Sequence, residues 1–302
     1  MRTLGDAYAG WSWNPLTDVR QMWAYPFMVN AFRAGTVVAV AAAVTGWFMV
    51  LRRQSFAGHT LAVVGFPGAA GATLVGVSAA YGYFAFCVAA ALVIATVPRA
   101  GRDADGAETA LTGTVQAFLL ACGFLFTALY KGLLGGVTSL LFGSFLGITT
   151  GQVWLLLAVA GAALAVLAAV GRPLLFASVD PEVAAGRGVP VRLLGTAFLV
   201  TLGVAAAETS QITGTLLVFA LLVMPAATAQ ALTARPGLSL LLSVAFAVAV
   251  TWLGLTVAYY SPYPIGFYVT TFAFCGYALA RLAAARRPLR TARTRLPAGD
   301  PA

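Results

Sequence analysis

Charge is what this sequence has least of. Only 9% of its 302 residues are Asp, Glu, Lys or Arg, whereas a soluble globular domain is about a quarter charged. Hydrophobic residues make up 61% of the chain, more apolar surface than one water-facing fold can bury, so the bilayer must act as its solvent. Histidine is scarcer still. His59 is the single one, which excludes the paired histidines at helical spacing that zinc hydrolases need. The three cysteines, Cys87, Cys122 and Cys275, each fall inside an apolar run. Their spacing fits neither a metal knuckle nor a disulfide framework, and they read as small packing residues. No Gly-x-x-x-x-Gly-Lys-Ser/Thr phosphate loop occurs, so nothing in the sequence supports ATP hydrolysis by this chain itself.

What is present is a series of apolar runs, at about 34–51, 56–77, 80–98, 110–130, 152–171, 191–207, 212–233, 238–258 and 264–284. Runs of about twenty residues suit membrane helices, not the alternating ten-residue strands of a barrel. The fold class is therefore all-α, a polytopic membrane helical bundle. The second run is rich in Gly and contains Pro67, so a kinked or partly re-entrant segment is expected there, and the count stands at eight or nine spans. Residues 1–27, with Trp11, Trp13, Trp23 and Tyr25, read as an external interfacial segment. Asp6 and the Trp-rich stretch interrupt the apolar core that a signal peptide would need. Residues 28–284 form the transmembrane domain and 285–302 a basic cytoplasmic tail.

The net charge of +9 points to lipid and not to nucleic acid, because much of it follows the last apolar run. With nine spans, Arg52, Arg53, Arg99, Arg102, Arg172, Arg187, Arg192, Arg235 and the tail arginines (Arg281, Arg286, Arg287, Arg290, Arg293 and Arg295) fall on one side. Arg2, Arg20, Arg33 and Lys131 fall on the other. The excess marks the first side as cytoplasmic, which places the N-terminus outside and the C-terminus inside. All but one of the basic residues are Arg, which reads as compositional bias and not as phosphate chemistry.

Few residues can carry chemistry. His59 lies just past Arg52-Arg53, inside an apolar run. An ionisable side chain in hydrocarbon is paired or used. It is either a neutral imidazole bonded to a backbone carbonyl or water, or a metal ligand or gate facing a pathway. Glu208 closes the sixth run, as a boundary carboxylate or as a group that attracts ions. Pro225, well inside the seventh run, removes one backbone hydrogen bond and should kink that helix near Leu221, with Thr228 or a neighbour placed to satisfy the freed carbonyl. A packing kink and a gating hinge are both open. Gly58, Gly65, Gly68 and Gly71 predict close helix packing, and the three-residue spacing of the last three places them near one face. Between the fifth and sixth runs, Asp180-Pro181-Glu182 supplies an N-cap, a proline at the first helical position and an acid in the first turn. Gly186 and Gly188 then stop the helix. A short capped helix outside the membrane is predicted, either an ordinary connection or a docking element for a cytoplasmic partner.

Three of these segments together resemble the permease subunits of bacterial ABC importers for zinc, manganese and related divalent cations. Arg52–Gly68 resembles the start of that family's second span. Asp180–Val189 is similar to its Pro-x-x-Ala-x-x-x-Gly-Val coupling segment. Gly214–Ala229 resembles Gly-x-Leu-Leu-x-x-x-Leu-Leu-x-x-Pro-Ala-Ala-x-Ala, and Leu141-Phe142-Gly143-Ser144 is a weaker match. The resemblance implies a homodimeric pore, a separate cytoplasmic ATP-binding subunit that carries ATP and magnesium, and an extracellular metal-binding protein that delivers the ion. It implies that Asp180, Pro181, Glu182, Ala185 and Gly188 belong to the ATPase coupling loop. Glu208, Pro225 and Thr228 would belong to the path or its gate. Many members read Gly-Asp-x-Leu-x-His in the second span. Here His59 stands at the Asp position and Val63 at the His position, so only His59 is carried over as a metal residue. Two copies across a dimer axis would present two imidazoles, which suits zinc better than manganese; the equal alternative is that the intramembrane site is lost and ion choice is left to the delivering protein. The same architecture serving a metal chelate or other cargo, a non-transporting membrane scaffold and an ion-coupled secondary transporter are the competing readings.

Overall fold

The computed structural model describes residues 20–96, 104–130, 143 and 147–286, and among them there is no strand. The chain runs through α1 (Pro26–Leu51), α2 (Ser55–Leu74), α3 (Ala79–Ala95), α4 (Ala104–Leu129) and α5 (Thr150–Val179). It continues through α6 (Pro181–Gly186), α7 (Val191–Thr213), α8 (Thr215–Leu232), α9 (Pro236–Tyr259) and α10 (Ile265–Ala285). Every apolar run in the sequence has its helix, and α6 is the short capped helix expected between the fifth and sixth. Six helices are long and apolar enough to cross a membrane: α1, the Thr109–Leu129 part of α4, α5, α7, α9 and α10. The apolar helices Ala79–Ala95 and Val218–Leu232 are shorter. This is a multi-pass membrane protein.

Local chemistry sets several helix boundaries. Pro26 and Pro236 sit in the first turns of α1 and α9, where their missing N–H groups would have had no intrahelical partner anyway. At the start of α5, Thr149 and Gln152 form a reciprocal capping box: the Gln152 backbone N–H donates to Thr149 Oγ1 at 3.3 Å, and the Thr149 N–H to Gln152 Oε1 at 2.9 Å. Two sequence boundaries move. The fifth run is carried on to Val179 through Arg172 and Pro173; at 1.5 Å per residue its 30 residues reach about 45 Å, past the hydrocarbon. The sixth run extends to Thr213, and Gly214 alone turns the chain into α8.

Gly214 has φ 75° and ψ 157°, a conformation open essentially only to glycine. That is why two long helices can meet across a single residue.

α1 lies at the centre of the bundle and packs on α5, α7, α8 and α9. Its buried face is mostly alanine and glycine, including Ala31, Ala34, Gly35, Ala39, Ala42 and Gly46. A side chain on Gly46 would collide with the Leu222 carbonyl of α8. Polar ties hold this contact where no water competes: Trp47 Nε1 donates to Ser239 Oγ at 3.0 Å and Gln230 Nε2 to the Trp47 carbonyl at 3.0 Å. α2 and α3 approach as closely. Gly68 and Gly82 face each other, and a methyl group on either would strike the other's carbonyl oxygen. Gly65 instead faces Tyr83 and Ser210, and Gly71 faces Phe126. The three glycines thus serve neighbours on three elements.

The helices alternate in direction, so the bundle has two ends. Asn30 Nδ2 donates to the Ile148 carbonyl at 3.1 Å at one end. Arg52 Nη1 donates to Ser178 Oγ at 3.1 Å at the other. Among the described basic residues, Arg20 and Arg33 fall toward the first end. Arg52, Arg53, Arg187, Arg192 and Arg235 cluster at the second, in the segregation read from the sequence.

Candidate functional site

His59 sits in the first turns of α2, half-buried, one helical turn before Val63 on the same half-buried face. Across from it on α8 lies Phe219. The two rings meet edge to face at 74°, with centroids 5.0 Å apart. The imidazole Nδ1 is buried and has no hydrogen-bond partner among the described residues, so the backbone carbonyl bond allowed by the sequence is not made at that nitrogen by any of them. Phe219, Val223 and Ala227 are all half-buried and recur every four residues, which aligns them along one face of α8. The His59–Val63 face and the Phe219–Ala227 face meet at the His59–Phe219 contact, and the residues along this seam are half-buried in the single chain.

Pro225 lies inside α8 and is buried. It removes the amide that would have bonded the Leu221 carbonyl. Thr228 does not take over that carbonyl: its hydroxyl donates to the carbonyl of Met224 at 2.7 Å. The reason is geometric, since a threonine in a helix reaches back four residues and Leu221 is seven away. Thr228 therefore braces the turn that contains the proline.

Glu208 is not the boundary carboxylate that its place in the sequence suggested. It is wholly buried, five residues before the end of α7, and neither carboxylate oxygen has a hydrogen-bond partner among the described residues. Nor does the fold bring it to His59. A Cβ on Gly65 would lie 3.3 Å from Ser210 Oγ, so the Ser210 side of α7 looks at α2. Glu208, two residues back, is turned about 200° around the helix from that side. One turn further on, Gln211 Nε2 is also buried without a partner among the described residues. Gln211 lines a cavity of about 200 Å³ with Gln152, Gly147 and Ile148. Among the described residues, no group of three or more His, Cys, Asp or Glu side chains could hold a metal ion.

The capped loop takes the form its residues dictate. The Asp180 carboxylate accepts the Val183 backbone N–H at 3.0 Å, Pro181 occupies the first turn, and Glu182 stands beside the helix N-terminus. Ala184 is buried, whereas Pro181, Glu182, Val183, Ala185 and Gly188 are exposed. Gly188 closes the loop with φ 79°. The exposed face carries two apolar side chains, Val179 and Val183. Arg52 ties this region to the start of α2. Besides its bond to Ser178, it donates from Nε to Gln54 Oε1 at 3.3 Å, and its guanidinium lies 5.4 Å from the centre of the Phe198 ring on α7.

Residues 24–283 match the ABC-3 family, described as the ABC 3 transport family. The chain belongs to the ABC 3 transport family. The resemblance to metal-cation ABC importer permeases seen in the sequence is thus borne out. Its members are transport subunits and not ATPases. The chain is 28% identical over 235 residues to the manganese import system permease protein ScaB of Streptococcus parasanguinis, covering 78% of this chain and 82% of that one. It is likewise 28% identical over 228 residues to the manganese transport system membrane protein MntC of Halalkalibacterium halodurans, covering 76% and 77% respectively. Among solved structures, PsaBC from Streptococcus pneumoniae in complex with Fab shares the fold, with a TM-score of 0.77 at 24% identity, over 88% of this chain and 94% of that one.

Within this ABC 3 family chain, sequence reasoning missed Phe219 and Gln211. Phe219 lies in the Gly214–Ala229 segment that carries the resemblance, but nothing in the sequence says which face of α8 meets α2. Gln211 carried a signal, a primary amide within an apolar stretch, whose burial depends on α7 extending to Thr213. Of the Leu141–Ser144 match only Gly143 lies among the described residues; its φ is 75°, and it packs against Ile212–Gly214 at the corner between α7 and α8. Residues 1–19 and the tail beyond Arg286 lie outside the described residues.

Proposed function

We propose that this chain is the membrane-spanning permease of an ABC importer that takes up a divalent metal cation, with zinc preferred over manganese. Two copies form the pore. A separate cytoplasmic ATP-binding subunit, which holds ATP and magnesium, docks on the Asp180–Gly188 loop. An extracellular metal-binding protein delivers the ion at the opposite end. The N-terminus faces outside and the C-terminus the cytoplasm, a topology open to labelling of cysteines introduced at positions 12 and 296.

The observation that carries this reading is the His59 seam. A buried, unpartnered imidazole nitrogen lies on a face that one chain leaves half-covered, so a second copy can complete the lining. One imidazole per chain with Val63 one turn on makes a weak, passing site, and transport needs ions that bind and then leave. Imidazole without carboxylate favours zinc, whereas manganese prefers oxygen ligands. Manganese is the second reading, favoured by the names of the relatives.

In this mechanism the coupling loop moves with the ATPase. Arg52, bound to Ser178 two residues before Asp180, passes the displacement to the start of α2 and so to His59. α8 bends at Pro225, and Phe219 shifts against the imidazole. Glu208, Pro225 and Thr228 act at the gate and not as ligands of the same ion as His59.

Stimulation of ATP hydrolysis in the reconstituted complex, compared across zinc, manganese and iron presented by the metal-binding protein, tests the reading. Stimulation strongest with zinc is expected. Stimulation by manganese alone would replace zinc with the second reading, and indifference to every metal would remove metal import.

A further inference from the structure

A second cavity opens on the opposite side of α1 from the seam, between α1, α5 and α9. Its volume is about 640 Å³, within the usual range for a small-molecule site. The walls are almost wholly apolar, built by Phe32, Val37, Val153 and Leu157, and three tryptophans, Trp23, Trp154 and Trp252, frame it. Among the described residues, the single charged group in its lining is Arg33.

The depth of this groove is fixed by helix geometry. Arg33 precedes Arg52 by nineteen residues on one helix, so the two lie about 28 Å apart at 1.5 Å per residue. That separation matches the roughly 30 Å hydrocarbon thickness of a bilayer. Arg52 is engaged with Ser178 and Phe198 at its end, which puts Arg33 at the headgroup level of the other leaflet. Tryptophan prefers this level, and Trp23 and Trp154 are both exposed there.

The polar groups of the groove divide cleanly. Trp252 Nε1 donates to Thr36 Oγ1 at 2.9 Å, and Thr36 Oγ1 donates to the Phe32 carbonyl at 2.7 Å. Phe32 packs edge to face on Trp252, with centroids 5.9 Å apart. These groups are satisfied within the wall and ask nothing of an occupant. Arg33 is exposed and forms no ion pair or hydrogen bond among the described residues. Below it, toward mid-bilayer, Val37 and Leu157 continue the apolar wall for another one to two turns.

We propose that this groove is a binding site for an anionic phospholipid of that leaflet, the external one in the proposed orientation. Arg33 pairs with the phosphate, and an acyl chain lies along Phe32, Val37 and Leu157 under Trp154 and Trp252. Among the described residues, the groove's lining holds no carboxylate, so no described group there would pair with the amine of a zwitterionic headgroup. That absence sets the preference for net negative lipid. Arginine suits the role because its planar fork bonds a phosphate through two N–H groups. A lipid wedged between α1, α5 and α9 braces three helices that the transport cycle moves relative to one another.

The test is native mass spectrometry of the purified full-length protein, exchanged into equal phosphatidylglycerol and phosphatidylcholine, on wild type and three variants. Arg33→Gln removes the phosphate partner. Leu157→Trp fills the groove without touching Arg33. A tail variant with Arg290 and Arg293 both changed to Gln controls for anionic lipid held at the other end. Retained phosphatidylglycerol is expected to fall about fivefold in Arg33→Gln, the scale of one basic residue near an anionic surface. Leu157→Trp should lose that bound lipid, and the tail variant should keep it. Unchanged retention in both groove variants would overturn the proposal, as would a loss confined to the tail variant. Equal retention of phosphatidylcholine and phosphatidylglycerol by the wild type would also overturn it.

Discussion

His59 of α2 meets Phe219 of α8 edge to face, with ring centroids 5.0 Å apart. That contact joins two of the three segments on which the resemblance to metal-cation permeases rests. It places the sole imidazole of the chain against the helix that contains Pro225. In the proposed pore, an aromatic edge beside the imidazole would supply a hydrophobic constriction, a common way to close a pathway when no ion is passing.

Pro225→Ala restores the amide that bonds the Leu221 carbonyl. Thermal stability in detergent should rise, by up to about 3 kcal/mol on the scale of an interior helix proline. Metal uptake should fall several-fold, because a straight α8 would not bend. Uptake at the wild-type rate would reduce Pro225 to a packing kink.

Gly188→Asp forces a side chain into φ 79°, a strain of roughly 1–3 kcal/mol, at the exposed end of the proposed coupling loop. The variant should still fold and insert, since a Cβ there meets nothing within 4 Å. Its complex should hydrolyse ATP without matching transport. A normal ratio of metal moved to ATP hydrolysed would remove the loop from coupling.

Glu208→Gln keeps the shape and puts a neutral amide in place of a fully buried carboxyl group that has no hydrogen-bond partner among the described residues. A neutral amide costs less to bury than an ionised carboxylate, so the variant should fold at least as stably as the wild type. If Glu208 acts at the gate, uptake falls at least several-fold while assembly is normal. Uptake and stability both unchanged would make it a bystander.

Gly68→Val drives a branched side chain into the Gly82 carbonyl of α3. Overpacking of this kind costs about 1–3 kcal/mol or more when backbone must move. A marked loss of folded protein is expected on size-exclusion chromatography, whereas Gly161→Val, at a site with nothing within 4 Å, should be silent. Equal behaviour of the two would contradict the close α2–α3 contact.

Much of this architecture was legible in the sequence because a helix in lipid must satisfy its own backbone, so each span appears as an apolar run. The capped loop at Asp180 was legible for a local reason: cap, proline and acid act within one turn. Azimuth was not. Glu208 at the end of an apolar stretch could have faced headgroups, and only the extension of α7 to Thr213, with Gly214 making the corner, buries it. The partner of His59 depends on how α2 and α8 rotate against each other, which a pattern on either helix alone does not encode. Thr228 is legible as a backbone-bonding residue, and the four-residue reach of a helical threonine directs its hydroxyl to the Met224 carbonyl and not to that of Leu221.

The most direct test of the account is ATP-driven metal uptake into proteoliposomes that contain the permease, its ATPase and the metal-binding protein, comparing wild type with His59→Ala. The account predicts uptake of zinc faster than manganese in the wild type. It predicts a loss of about tenfold in His59→Ala, equivalent to ~1.4 kcal/mol, with assembly of the complex unchanged. Equal uptake by the two proteins would contradict the role given to His59 and its seam.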